Sequence, residues 1–241
     1  LENIQVLNGE LNSLDPFQRP SADSLSLTRR ENNRLSLFYN RTQLRFGGEY
    51  SFLQLKNKQI QAYGPEGNEQ RTHRLILRSQ ISEALSAQTR MELEEKGLFT
   101  PGFTERNYKL KKQEVELQLS WQFGPEFNLR SQTGFSESNN SSGAEYLESL
   151  RQNLNLQYSL SGRSNLNCSL EYRSNDFSGN PLSPVGYEML QGLASGNNVL
   201  WNITWERQLL EFVQLNFRYD GRKTMGNPSI HVGSMQLKAL F

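Results

Sequence analysis

The 241-residue sequence predicts an all-β fold: one antiparallel transmembrane β-barrel of about twelve strands, occupying residues 1–241 as a single domain. Three observations predict it. Apolar residues recur at every second position in segment after segment. The links between those segments sort alternately into short and long. Aromatic residues gather near segment ends, on the apolar parity.

The alternation is clearest toward the C-terminus. Gly233, Met235, Leu237, Ala239 and Phe241 take one parity, and Ser234, Gln236 and Lys238 the other. The same two-residue period carries Val213 to Tyr219, Val199 to Trp205, Leu166 to Tyr172, Leu154 to Leu160, Phe127 to Phe135 and Val115 to Phe123. A helix would repeat at 3.6 residues, so these segments are strands. The N-terminal half follows more weakly, in Ala87–Leu93, Leu75–Leu77, Leu44–Phe52 and Leu35–Tyr39. The phase slips at Leu53, which marks a bulge or a strand leaving the membrane. Ile4 and Val6 mark a short first strand.

Short links are expected near Asn40–Thr42, Ser82–Glu83, Gly124–Pro125, Ser161–Arg163 and Gln208. Long ones are expected at Leu11–Asp23, Gln59–Gln70, Gly97–Asn107, Glu137–Glu145, Ser174–Gly196 and Gly221–Pro228. Outer-membrane barrels have short periplasmic turns and long extracellular loops. Counting back from a periplasmic C-terminus puts every long link outside. The aromatics Tyr39, Trp121, Phe123, Phe127, Tyr158, Trp205 and Phe241 then form a lipid-facing girdle at the short-turn ends, with Phe46 beside them. Tyr172, Tyr219, Phe135 and Trp201 lie toward the other interface.

Composition narrows the function classes. Apolar residues make up 35% and mean hydropathy is −0.69, values that without the alternation would suggest a soluble or disordered chain. A net charge of +1 offers no basic excess for nucleic acid. Cys168 is the single cysteine, so an internal disulfide and a cysteine-rich metal site are excluded. No apolar run is long enough for a membrane helix. No cofactor or metal is expected. The absence of a signal peptide reads as a mature chain or a fragment.

The closing segment Val232–Phe241 resembles the terminal strand of the bacterial outer-membrane barrel class, which the barrel-insertion machinery reads. The stretches Leu27–Asn33, Gly186–Leu190 and Asp220–Lys223 resemble the C-terminal barrel region of large uncharacterised outer-membrane proteins of the Bacteroidota. That likeness implies that Leu1 is a fragment start. Asp23-Ser24-Leu25 resembles the O-glycosylation acceptor of that phylum.

On the polar parity, the lumen-lining charges are Arg90, Glu92, Glu94, Glu114, Glu116, Arg130, Glu171, Arg173, Glu206, Arg218 and Lys238, with Arg45, Glu49 and Arg151 on the same parity. Both signs interleave, which favours cross-strand pairing in a narrow interior over an ion-selective lining. Ser229 and His231 share a face near the outer end of the last strand, the pair a surface lipid hydrolase would need, with Asn227 or Asp220 as a third group. His73, Arg71, Arg74, Arg222 and Lys223 are placed near the outer rim, where cations meet lipid phosphates or simply solvent. The expected function is a non-catalytic structural or accessory barrel, an anchor in a cell-envelope assembly. The alternatives are a passive diffusion channel and a lipid hydrolase using Ser229 and His231. Outer-membrane lipid, other envelope subunits and the insertion machinery are the expected partners. A weak first strand leaves the last strand's edge poorly matched, so either preceding residues or a partner complete the sheet, or the chain is an ordinary barrel with a ragged first strand and mobile loops.

Overall fold

The computed structural model of the chain describes residues 2–6, 27–41, 45–61, 64–160 and 163–239. They form one antiparallel sheet of twelve strands arranged in sequence order. The strands are β1 (Glu2–Val6), β2 (Leu27–Arg41), β3 (Phe46–Gln61), β4 (Gly64–Gln80), β5 (Leu85–Phe99), β6 (Tyr108–Phe123), β7 (Phe127–Asn140), β8 (Tyr146–Leu160), β9 (Ser164–Ser178), β10 (Gly196–Leu210), β11 (Val213–Thr224) and β12 (Ile230–Ala239). A short helix, α1 (Pro184–Leu190), lies between β9 and β10.

Burial is inverted relative to a water-soluble sheet. Polar residues are the covered ones: Ser51, Thr72, Glu114, Glu116, Ser149, Asn175 and Asn198 are buried. Apolar residues on the opposite parity are bare, including Leu93, Val115, Leu117, Leu154, Leu170 and Met235. Along β6 the alternation is residue by residue, from buried Glu114 and Glu116 to exposed Val115 and Leu117. Side chains crowd together on the concave side of a curled sheet and spread apart on the convex side. A convex face that is apolar and a concave face that is polar suit hydrocarbon outside and water or protein inside. No helix of the described residues is long and apolar enough to cross a membrane. The membrane is crossed by strands.

The strands run longer than the period-two signal shows. A membrane strand needs about 9–11 residues, whereas β4 has 17 and β3 has 16. The link expected at Gln59–Gln70 is therefore only residues 62–63, and most of that segment is strand. Both faces of an extension beyond the hydrocarbon are wetted, so no alternation marks it. The same extension trims the other long links to residues 100–107, 141–145, 179–195 and 225–229. Residues 7–26, which hold the Leu11–Asp23 link and Asp23-Ser24-Leu25, lie outside the described residues. Register through Leu53 is unbroken against both β2 and β4, so there is no bulge there. Leu53 and Leu55 instead stay on the concave parity while β3 leaves the membrane. The turn expected at Gln208 falls at residues 211–212, after a register shift between Gln208 and Leu210.

Candidate functional site

The charged residues of the concave face converge on β4–β8. Arg74 lies directly across from Glu92 and its Nε donates to that carboxylate at 2.7 Å. One register step away, Arg90 faces Glu116 and reaches it at 3.0 Å, with Glu114 at 3.5 Å. From the far side Arg151 donates to Glu114 at 2.9 Å and also bonds Glu116. Lys112 completes the set with a 2.6 Å contact to Glu114. Arg151 sits on β8 and Glu116 on β6, so the guanidinium must cross β7. It passes over Gly134, which lies between them in the ladder and has no side chain to block the way. Two buried carboxylates are thus shared among three cations. Breaking one partner of such a buried pair typically costs about 3–5 kcal/mol.

Toward the long-link end the concave parity changes character and becomes apolar. Tyr108, Leu110 and Leu147 are buried there, with Leu98 and Phe177 packed beside them. Helix α1 docks on this patch through Val185, Met189 and Leu190. Its start is fixed by Ser183, whose Oγ accepts from the Gly186 N–H at 3.0 Å, and by Pro184 in the first turn. Gln191 ends it in the left-handed region at φ 54°. Polar contacts tie the helix at both sides. Glu188 bonds Lys96 of β5, and Gln191 accepts from Arg173 of β9 at 2.8 Å. Burial opposes the charge on Lys96, but the bond to Glu188 together with the charges around it, of Glu188 and Glu94 among others, holds the ammonium above its usual pKa. Beneath α1 lies a cavity of about 230 Å³, lined by Glu94, Lys112, Ser138, Ser149, Arg151 and Asn175 among others.

The residues expected to line the lumen divide accordingly. Arg90, Glu92, Glu94, Glu114 and Glu116 fall within or beside the ion network, and Glu94 accepts from Gln70 at 2.9 Å. Glu171 and Arg173 pair with each other at 2.7 Å near α1. Arg218 pairs with Asp220 at 2.6 Å, away from the network. Arg130, Glu206 and Lys238 share the parity but make no ion pair among the described residues. Of the girdle, Trp121, Phe123 and Phe127 form a run with ring centroids 6.3 and 5.7 Å apart. Phe127 faces Tyr158 across the next ladder, and Trp205 donates its indole N–H to Ser164 at 2.9 Å. Tyr39 is 54% exposed on the convex face, and Phe241 lies outside the described residues.

Three placements need correction or refinement. Arg74 and Arg222 lie on the concave parity, not on an outer surface facing lipid; Arg74 is committed to Glu92. His231 does not engage Ser229 among the described residues. Its Nδ1 shares a 2.7 Å hydrogen bond with the Tyr219 hydroxyl, its ring stacks on that tyrosine, and Trp201 packs against it at 5.4 Å. His73 repeats the arrangement with Tyr50 at 2.9 Å. Trp201 lies across the neighbouring strand at Gly221, where an added Cβ would come within 2.1 Å of the indole. Sequence reading did not find α1 or its docking patch. The signals were present in Ser183-Pro184 and in the i, i+4 spacing of Val185 and Met189, followed by Leu190.

No protein-family model matches the chain, and no curated protein matches it. Solved structures do. The siderophore receptor PirA from Pseudomonas aeruginosa aligns over 92% of this chain and 38% of its own, with 14% identity and a TM-score of 0.60. PirA from Acinetobacter baumannii gives 11% identity and a TM-score of 0.61, over 89% and 38% of the two chains. CdiB from Acinetobacter baumannii gives 12% identity and 0.54, over 90% and 45%. The chain therefore spans less than half the length of these proteins. The likeness shows the outer-membrane β-barrel fold.

Proposed function

We propose that this chain serves as a structural or accessory wall of an outer-membrane assembly, with its concave face filled and not open for diffusion. The orientation that goes with this reading puts the short links and the C-terminus in the periplasm and α1 toward the cell exterior. The observation that carries it is the occupancy of the concave side by the chain itself. The Glu114–Glu116–Arg90–Arg151 network occupies one level of the concave face across β5–β8, and α1 covers the next through an apolar patch that a water-filled pore would have no reason to display. Charges of one sign are not arrayed to select an ion, because each buried carboxylate is already satisfied. Other envelope proteins are the partners this role implies, and the insertion machinery acts during biogenesis.

A passive channel is the second reading, and the cavity beneath α1 is what favours it. Steady conductance across a planar bilayer tests the two. The filled-wall reading expects little or none from the intact protein. Large stable openings, with ion preference altered by Glu114→Gln and Glu116→Gln, would replace it with the channel. A lipid hydrolase gains no support from the geometry, since the imidazole of His231 is hydrogen-bonded to Tyr219 and stacked on its ring.

A further inference from the structure

β1 covers only part of β2. It pairs over Leu27–Glu31, from Val6 opposite Leu27 to Glu2 opposite Glu31. Toward the short-link end β2 continues through Asn32–Arg41, and that stretch has no neighbour on its β1 side among the described residues. It lies at membrane height, because Leu35, Leu37 and Tyr39 stand exposed on its convex parity. Backbone N–H and C=O groups left open there have no water to satisfy them. The concave parity of the same stretch is bare as well, with Phe38 66% exposed on the side where residues are elsewhere crowded.

Direction and charge limit what fits this edge. Every pairing in the sheet is antiparallel and the strands follow sequence order, so β2 and β12 both run from the long-link end to the short-link end. β12 can therefore meet β2 only in parallel, whether in this chain or in a second copy inserted the same way. A strand running in the direction of β1 keeps the ladder antiparallel. On the concave parity of β4 and β5, Arg74, Arg78 and Arg90 each bond a carboxylate on a neighbouring strand, Glu92, Glu49 and Glu116 respectively. Arg34 on β2 has no such partner. It is exposed, stands opposite Leu53 of β3, and makes no ion pair among the described residues. An opposite charge on the other flank of β2 would complete the pattern.

We propose that the edge Asn32–Arg41 takes up one transmembrane β-strand of a partner envelope protein. That strand is roughly ten residues long, enough to span the hydrocarbon, and runs antiparallel to β2. It is apolar opposite Leu35, Leu37 and Tyr39, and it carries an aspartate or glutamate opposite Arg34. Main-chain hydrogen bonds to the open edge give affinity, and the alternation with its one carboxylate sets the register. Such a partner presupposes the reading of the chain as one wall of an assembly. Conductance tests the filled wall and strand capture tests its edge, so either can fail alone.

The probe is a synthetic peptide of that length, alternating leucine with serine and carrying one glutamate at the position opposite Arg34, added to the folded protein in detergent. Amide exchange along Asn32–Arg41 is read against that along β6. In the protein alone the edge should exchange about tenfold faster than β6 or more, and the peptide should slow it by a similar factor. Lysine in place of the peptide's glutamate should weaken binding about tenfold, as should Arg34→Gln in the protein. The same Arg34→Gln variant should bind the lysine peptide no more weakly than the wild-type protein does. Heat-modifiable migration on gels confirms that the variant is folded. Exchange along the edge already as slow as along β6 in the protein alone would overturn the proposal, because the chain would then cover its own edge. So would a peptide that leaves exchange unchanged, or glutamate and lysine peptides that bind the wild-type protein equally.

Discussion

Leu117→Arg tests the assignment of the two faces most directly. Leu117 lies on the convex face of β6, 45% exposed, with Thr89 and Thr133 as its direct neighbours and no carboxylate opposite to receive a guanidinium. The apolar run on β6 extends from Val115 to Phe123. At roughly 3.3 Å per residue it covers about 26 Å along the strand, or about 20 Å of membrane depth at a 40° tilt. Leu117 is then about 5 Å from the middle of that run. An arginine near the bilayer midplane costs about 2–4 kcal/mol, roughly a 30- to 700-fold loss in the folding equilibrium. Gln118→Arg, one residue along, points to the concave face. It forfeits one hydrogen bond from Gln132 at 2.9 Å, worth about 1 kcal/mol. Reversible urea unfolding in lipid vesicles, followed by the fluorescence of Trp121, Trp201 and Trp205, measures both. Leu156→Arg, flanked by Leu129 and Cys168, should match Leu117→Arg. A larger cost at Gln118 than at Leu117 would invert the facing and refute the reasoning.

Two further expectations follow from the concave side. Arg90→Ala with Arg151→Ala leaves Glu116 buried without its cations and should destabilise by about 3–5 kcal/mol; adding Glu116→Gln should recover part of that loss in the same unfolding assay, and no recovery would mean that the carboxylate is not the stranded group. Leu190→Ala, at a residue only 3% exposed, should undock α1 with a local cost of about 2–5 kcal/mol. Faster amide exchange across residues 184–190 would register it, while Tyr187→Ala, at a side chain 68% exposed, should leave exchange unchanged.

How far the sequence could be read depended on where each segment meets the membrane. Where one face meets hydrocarbon and the other does not, selection on side-chain polarity alternates, and β6 and β10 are visible by eye. Where β3 and β4 extend into water, from about Lys56 to Gln70, both faces carry polar residues and the strand reads as loop. The ion network was legible only as parity. Glu114, Glu116, Arg90 and Arg151 could be placed on one face, but Arg151 reaches past β7 only because Gly134 lies in the ladder between them. Sequence spacing does not reveal which two residues a third one separates.

The sequence alone determined that the chain is built almost wholly of strands, that the strands number about twelve, and which residues share a face. Each of these follows from local chemistry, because a strand presents alternate residues to two different solvents. The tertiary structure decided what occupies the concave side. Helix α1 is seven residues long, too short to announce itself, and its partners Leu98, Leu110, Leu147 and Phe177 come from four different strands. Only the register that brings those strands side by side turns scattered apolar residues on a polar parity into one docking surface.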